Sequence, residues 1–225
     1  MLTETIAGRL GRVRQRIEAA CARSGRSPEE VTLIAVTKGF PPAAVREATA
    51  AGVRHFGENR VQEAQAKLPQ LADLPDAVTW HMIGHLQTNK VKTVLELFDT
   101  IHSVDSLHLA QAISRRATRT VPVFLEVNVG GESTKYGFSL DNLRGEYEAI
   151  ARLPNLDVRG LMTVAPLADD PEQARPVFRC LRESAHSLGL RELSMGMSDD
   201  FEVAIEEGAT HVRIGRAIFG DRPQT

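Results

Sequence analysis

Lys38 closes the run Leu33-Ile34-Ala35-Val36-Thr37-Lys38, an apolar, β-branched stretch that reads as a strand. An amine delivered to the end of such a strand is a candidate for Schiff-base chemistry, because desolvation favours its neutral, nucleophilic form. The ordinary alternative is a lysine that only marks where the strand meets solvent. A second feature shifts the balance. Leu193-Ser194-Met195-Gly196-Met197-Ser198-Asp199-Asp200 and His211-Val212-Arg213-Ile214-Gly215 each read as a short strand ending in a turn that opens a helix. Backbone N–H groups at a helix start are unpaired and lie at the positive end of the helix dipole, so they suit phosphate. Ser198 and Gly215 stand at those starts, and Arg213 adds a fork of donors. Asp199 and Glu202 also spell a capping box, which alone would explain the first turn. Two such turns in succession point to a phosphate site. A lysine and a phosphate anchor together describe pyridoxal 5′-phosphate (PLP), an aldehyde that carries a phosphate. Other phosphorylated aldehydes or ketones satisfy the same pair.

These groups need a scaffold that brings residue 38 beside residues 198–215. Strand-like runs occur at Thr32–Val36, Val53–Phe56, Thr79–Ile83, Thr100–Ser103, Val121–Val127, Asp157–Met162, Glu192–Met195 and His211–Ile214. Helical spacing follows nearly every one, at Pro42–Ala51, Glu58–Leu68, Gln87–Phe98, Ser106–Ala117, Leu140–Arg152, Pro171–Leu188 and Asp200–Glu207. Ahead of them, Ile6, Leu10, Val13, Ile17 and Cys21 define an amphipathic helix whose arginines occupy a solvated face. Strand–helix alternation implies parallel pairing, and eight strands behind an extra helix fit a single α/β domain over 1–225, a (β/α)₈ TIM-type barrel. An open doubly wound sheet is the alternative, but no Gly-x-Gly-x-x-Gly fingerprint follows the first strand. Barrel sites gather at the carboxyl ends of the strands. Those ends carry Lys38, Glu58-Asn59, Gly84-His85, Ser103, Asn128, Met162-Thr163, Gly196–Ser198 and Arg213–Gly215.

Composition narrows the function classes. Lys and Arg number 27 against 29 Asp and Glu, a net charge of −2 that gives no nucleic-acid footprint. No apolar run is long enough for a signal peptide or a spanning helix, so a cytoplasmic location is expected. Cys21 and Cys180 fit no disulfide or metal pattern, and Cys180 reads as a buried thiol on a helix face. His81 and His85 form His-x-x-x-His, but they straddle a strand end and no glutamate completes a zinc motif.

The motifs resemble one family. Ala35–Lys38, His55-Phe56-Gly57-Glu58-Asn59 with Val61-Gln62-Glu63, Trp80–Gln87 with Asn89-Lys90, Gly160–Thr163, Leu193–Asp199, Val212–Gly215 and Ile218-Phe219-Gly220 are similar to motifs of the pyridoxal phosphate homeostasis proteins. They run in order from residue 35 to 220. The resemblance implies a barrel like the N-terminal domain of alanine racemase with PLP held as an imine on Lys38. It further implies phosphate-holding roles for Ser198, Arg213 and Gly215, and ring-lining positions for Asn59 and Met197. The family often has Ser at the position of Thr37, Thr-Lys in place of Gly39-Phe40, and Tyr in place of Arg60. A Glu-x-Ser-Lys loop in the family matches 132–135, where Lys135 reads either as a second PLP contact or as a solvated lysine. Asn128 reads as a ligand contact or as a partner of loop backbone.

Three function classes follow. A PLP carrier would hold the cofactor reversibly without turnover, release it to apoenzymes and act as a monomer; binding of other B6 vitamers is left open. A racemase or decarboxylase of the same barrel type would need a second acid–base group opposite Lys38, and a second domain for which the chain to Thr225 leaves no room. A Schiff-base aldolase would be expected to carry its lysine on a later strand. The first class is the expectation.

Overall fold

The computed structural model describes residues 4–132 and 135–221. Eight parallel strands pair in chain order and close on themselves. They are β1 (Thr32–Val36), β2 (His55–Glu58), β3 (Thr79–Met82), β4 (Thr100–Val104), β5 (Val121–Glu126), β6 (Leu156–Met162), β7 (Glu192–Ser194) and β8 (His211–Ile214). Closure comes from β1 against β8, with Ile34 opposite Arg213 and Ala35 opposite Ile214. The expected (β/α)₈ barrel with an extra N-terminal helix is therefore the fold. Helices α1 (Ile6–Ser24), α2 (Pro42–Ala50), α3 (Val61–Lys67), α4 (Val91–Leu97), α5 (Leu107–Arg116), α6 (Leu143–Ala151), α7 (Arg175–Ser187), α8 (Phe201–Glu206) and α9 (Arg216–Phe219) ring it. Among the described residues, no helix is long and apolar enough to cross a membrane.

Alternation along the strands sorts side chains into two cores. Ala35, Phe56, Met82, Ile101, Leu125, Leu161, Leu193, Val212 and Ile214 face outward and bury against the helices. The opposite face fills the barrel, where branched aliphatic residues are the rule. Here it carries His81, His102, Phe124, Ser194 and Arg213, all buried. At β5–β6 the register shifts between Val123 and Phe124, which places exposed Arg159 outside the ladder.

Several boundaries depart from the sequence reading. β2 starts at His55 because Val53 N–H still closes α2 through the Ala48 carbonyl. Glu58 is consequently a strand residue, and α3 begins three residues later than the apolar spacing suggests. The arginine face of α1 is not simply solvated. Arg16 reaches Glu202 at 2.9 Å and Arg23 reaches Glu206 at 2.6 Å, tying α1 to α8. Cys180 is only half-buried, since it lies at the edge of the stripe formed by Phe178, Leu181 and Ala185.

Candidate functional site

A cavity of about 530 Å³ opens at the carboxyl ends of the strands. Lys38, Asn59, Met197, Ser198, Arg213 and Gly215 all line it, so the six residues singled out in the sequence converge on one space. Val36, Phe40, Ile83, Val164 and Leu167 supply its apolar wall. Phe40 packs on Phe219 with ring centroids 5.1 Å apart, so the departure from the family pattern at this position adds an aromatic rim.

Lys38 lies just past β1, and its backbone is gripped from both sides. Lys67 Nζ donates to the Thr37 carbonyl at 2.8 Å, to Glu58 Oε1 at 2.7 Å and to Glu63 Oε1 at 2.9 Å. Glu63 in turn accepts from Gly39 N–H at 2.5 Å, and Thr37 Oγ1 donates to Glu58 at 2.6 Å. Gly39 has φ 77°, a conformation glycine adopts without strain. Burial pushes the Glu58 carboxyl up, against the lowering pull of Lys67 and Thr37, while Lys67 and Gly39 hold Glu63 below its ordinary range despite its own burial. Sequence reading missed this cluster: Glu63 and Lys67 are four apart and look like a routine surface helix pair.

On the neighbouring wall, formed by the turns after β7 and β8, Ser198 Oγ accepts from Ala217 N–H at 3.3 Å, and Gly215 caps the start of α9. A Cβ at Gly215 would stand 3.3 Å from the Val36 carbonyl oxygen, so the site wall is built at backbone contact. The capping box expected of Asp199 and Glu202 is absent. α8 begins at Phe201, Asp200 instead accepts from Met197 N–H at 2.6 Å, Asp199 pairs with Arg216, and Glu202 is taken by Arg16. Arg213 forms the floor. Its Nη1 donates to Ser194 Oγ at 2.7 Å and its Nη2 to the Thr163 carbonyl at 2.9 Å. Burial brings Arg213 down to about 10, opposed by Glu126 and Asp200, so it remains a cation at neutral pH. Asn59 Oδ1 is buried without a hydrogen-bond partner within the protein.

Other candidates fall outside the cavity. His81 lies in the barrel interior between His55 and His102, whereas His85 bonds Asp105 at 2.9 Å and stacks on Tyr136. Among the described residues, no histidine, cysteine or carboxylate cluster could hold a metal. Asn128 Nδ2 donates to the Glu132 carbonyl at 2.8 Å, satisfying loop backbone. Lys135 pairs with Glu132, Arg60 is exposed, and Ser133 and Thr134 lie outside the described residues.

Fold and site together define a (β/α)₈ barrel whose first strand delivers a lysine over a pocket floored by a buried arginine. Residues 9–223 match the family described as alanine racemase, N-terminal domain. The pyridoxal phosphate homeostasis protein of Aquifex aeolicus (strain VF5) is 48% identical over 223 residues, covering 95% of this chain and 97% of that protein. The structure of PipY from Synechococcus elongatus PCC7942 with PLP bound superposes with a TM-score of 0.84 at 42% identity, covering 96% of this chain and all of PipY. Alanine racemase from Corynebacterium glutamicum shares the fold, with a TM-score of 0.71 at 19% identity over 93% of this chain and 61% of its own length. The chain belongs to the alanine racemase N-terminal domain family and, within it, to the pyridoxal phosphate homeostasis proteins.

Proposed function

We propose that this protein binds PLP, holds it reversibly on Lys38 and releases it to apoenzymes, and so serves intracellular vitamin B6 homeostasis. The observation that carries this reading is the convergence of Lys38, Asn59, Met197, Ser198, Arg213 and Gly215 on one cavity. The residues present fit the cofactor. The volume falls in the range of small-molecule sites, about 300–1,000 Å³. Asn59 Oδ1 is a buried acceptor awaiting a donor, and Gly215 leaves a wall that a side chain would fill. Bound there, PLP supplies an aldehyde that condenses reversibly with an amine. Lys38 is that amine. Ser198 and the backbone at Gly215 hold the phosphate, and Arg213, with two nitrogens committed to Ser194 and Thr163, contributes its charge from the floor.

We read the chain as a monomeric cytoplasmic carrier, acting as one PLP-binding domain over 1–225, and not as a racemase or decarboxylase. Two-base proton transfer needs a second acid–base group facing Lys38. The carboxylates among the described lining residues, Asp199 and Asp221, are exposed at the rim, and Asp199 is paired with Arg216. The PLP-bound structure of PipY and the name of the Aquifex protein support the cofactor assignment.

Intact mass after borohydride reduction of PLP-treated protein tests the reading. One phosphopyridoxyl adduct, lost in Lys38→Ala, is the expected result. An adduct that persists in Lys38→Ala would reassign the lysine, and steady turnover of an amino acid by the purified protein would favour the racemase or decarboxylase.

A further inference from the structure

The barrel interior holds a continuous line of polar side chains beneath the pocket. Arg213 Nη1 meets Ser194 Oγ at 2.7 Å, Ser194 Oγ meets His102 Nδ1 at 2.8 Å, and His102 Nε2 meets His81 Nδ1 at 2.9 Å. His81 Nε2 then meets His55 Nδ1 at 3.1 Å. The line crosses from β8 to β7 and β4, then through β3 to β2. It ends at half-buried His55, which lines a separate hollow of about 350 Å³ with Arg14 and Arg54.

The charge at one end dictates the direction of every bond. A guanidinium has only donors, so Ser194 Oγ must accept from Arg213. The serine hydroxyl is then left to donate, and among the described residues its other side-chain hydrogen-bond partner is His102 Nδ1. If His102 donated instead, the Ser194 proton would be stranded in a fully buried site, a costly arrangement. His102 therefore carries its proton on Nε2 and gives it to His81 Nδ1. By the same logic His81 donates from Nε2 to His55 Nδ1, and His55 keeps its proton on the Nε2 that faces away from the line. An added proton anywhere would set two donors face to face. Burial above all, with the neighbouring cationic or ring groups second, pulls His81 down to about 3 and His102 well below the usual histidine range. Phe124 stacks on His102 at 4.3 Å, and His211 sets its ring edge-on to both, at 5.1 Å from Phe124 and 5.8 Å from His102, while its Nδ1 bonds Thr210 and so stays out of the line.

We propose that Ser194, His102, His81 and His55 form a one-directional hydrogen-bond relay of neutral groups that fixes the orientation of Arg213 at the pocket floor. Ser194 and His102 are positioning residues for that arginine, and the relay links the two ends of the barrel. Its effect on the cofactor rests on the PLP reading given above, but its proton arrangement does not.

The test begins with the unmodified protein. Long-range ¹H–¹⁵N correlation spectra of ¹⁵N-histidine-labelled protein near neutral pH, recorded without PLP, should show His55, His81 and His102 as pure Nε2–H tautomers. Ser194→Ala should release His102 from that tautomer and weaken PLP binding about tenfold, as expected for losing one charge-assisted hydrogen bond. Ser194→Thr, which keeps the hydroxyl, should restore both. An Nδ1–H or doubly protonated ring at any of the three in the unmodified protein overturns the relay. PLP affinity in Ser194→Ala within twofold of the unmodified protein overturns the positioning role. If the unmodified protein fails to bind PLP, the cofactor reading falls, while the tautomer pattern still decides the relay.

Discussion

Replacing Lys67 by methionine tests how Lys38 is held. The Lys67 side chain is 6% exposed and its partner Glu58 is 0% exposed, so the pair is a buried one. Methionine keeps most of the volume but removes donors to Glu58, Glu63 and the Thr37 carbonyl. Glu58 would retain only the Thr37 hydroxyl, and its Oε2 already has no partner within the protein. Removing one member of a buried pair costs about 3–5 kcal/mol, mainly through the charge left behind. For a chain of this size each kcal/mol lowers Tm by roughly 2–4 °C, so the variant should melt about 6–20 °C lower. Urea unfolding followed by far-UV circular dichroism near neutral pH measures the loss directly. Adding Glu58→Gln to the same chain removes the stranded charge and should recover most of it, since the Thr37 carbonyl still accepts from the Phe40 N–H at 3.0 Å. The deficit of the single variant should also shrink toward acid. Without Lys67 the Glu58 pKa rises further, and a raised folded pKa favours the native state below the unfolded value and loses that advantage as pH climbs. A loss under about 1 kcal/mol, or no recovery in the double variant, would refute the argument.

Arg213→Gln should leave the barrel folded but weaken PLP retention in an equilibrium titration; unchanged affinity would remove Arg213 from the site. Glu126 is pushed up to about 7, chiefly by burial, with Asp105 adding and Arg213 opposing. Its folded pKa is raised, so stability present below the ordinary carboxylate range is lost as pH rises toward 7. Glu126→Gln should therefore gain on the parent across that window by up to about 3 kcal/mol, read from urea midpoints against pH. The buried histidines act in the opposite sense: burial depresses His81 to about 3 and His211 to about 4. Stability they lend above the unfolded histidine value of about 6.5 should drain away as pH falls, and a flat profile between there and pH ~4 would mean they are not neutral. Gly84→Ala would set a Cβ 2.2 Å from the Asn59 carbonyl oxygen. It should cost at least about 2 kcal/mol of stability and weaken PLP binding together, because the displaced segment carries a pocket residue.

The strand ends were the legible part of the site. Lys38, Asn59, Ser198 and Gly215 stand just past the ends of strand-like runs, so recognising the runs as parallel barrel strands places these four on one rim. The positions of the helix starts were less legible, because tertiary partners override local capping. Glu202 spells a capping box with Asp199, yet Arg16 of α1 takes its carboxylate and Arg216 takes that of Asp199. Lys67 was invisible for a related reason. Its spacing from Glu63 matches a solvated helix pair, and only the turn of α3 over β1 and β2 shows that it points inward at Glu58.

The sequence by itself determined the barrel, the lysine on its first strand and the run of motifs shared with the PLP homeostasis proteins. Those features reside in periodicity and in short contiguous stretches. The interior of the barrel was decided only by the tertiary structure. His55, His81, His102, Ser194 and Arg213 are scattered over five strands, and nothing in their spacing links them. Closing the barrel through β1 and β8 turns alternate side chains toward one axis, and there the fixed donors of Arg213 impose a single hydrogen-bonding direction on groups distant in the chain.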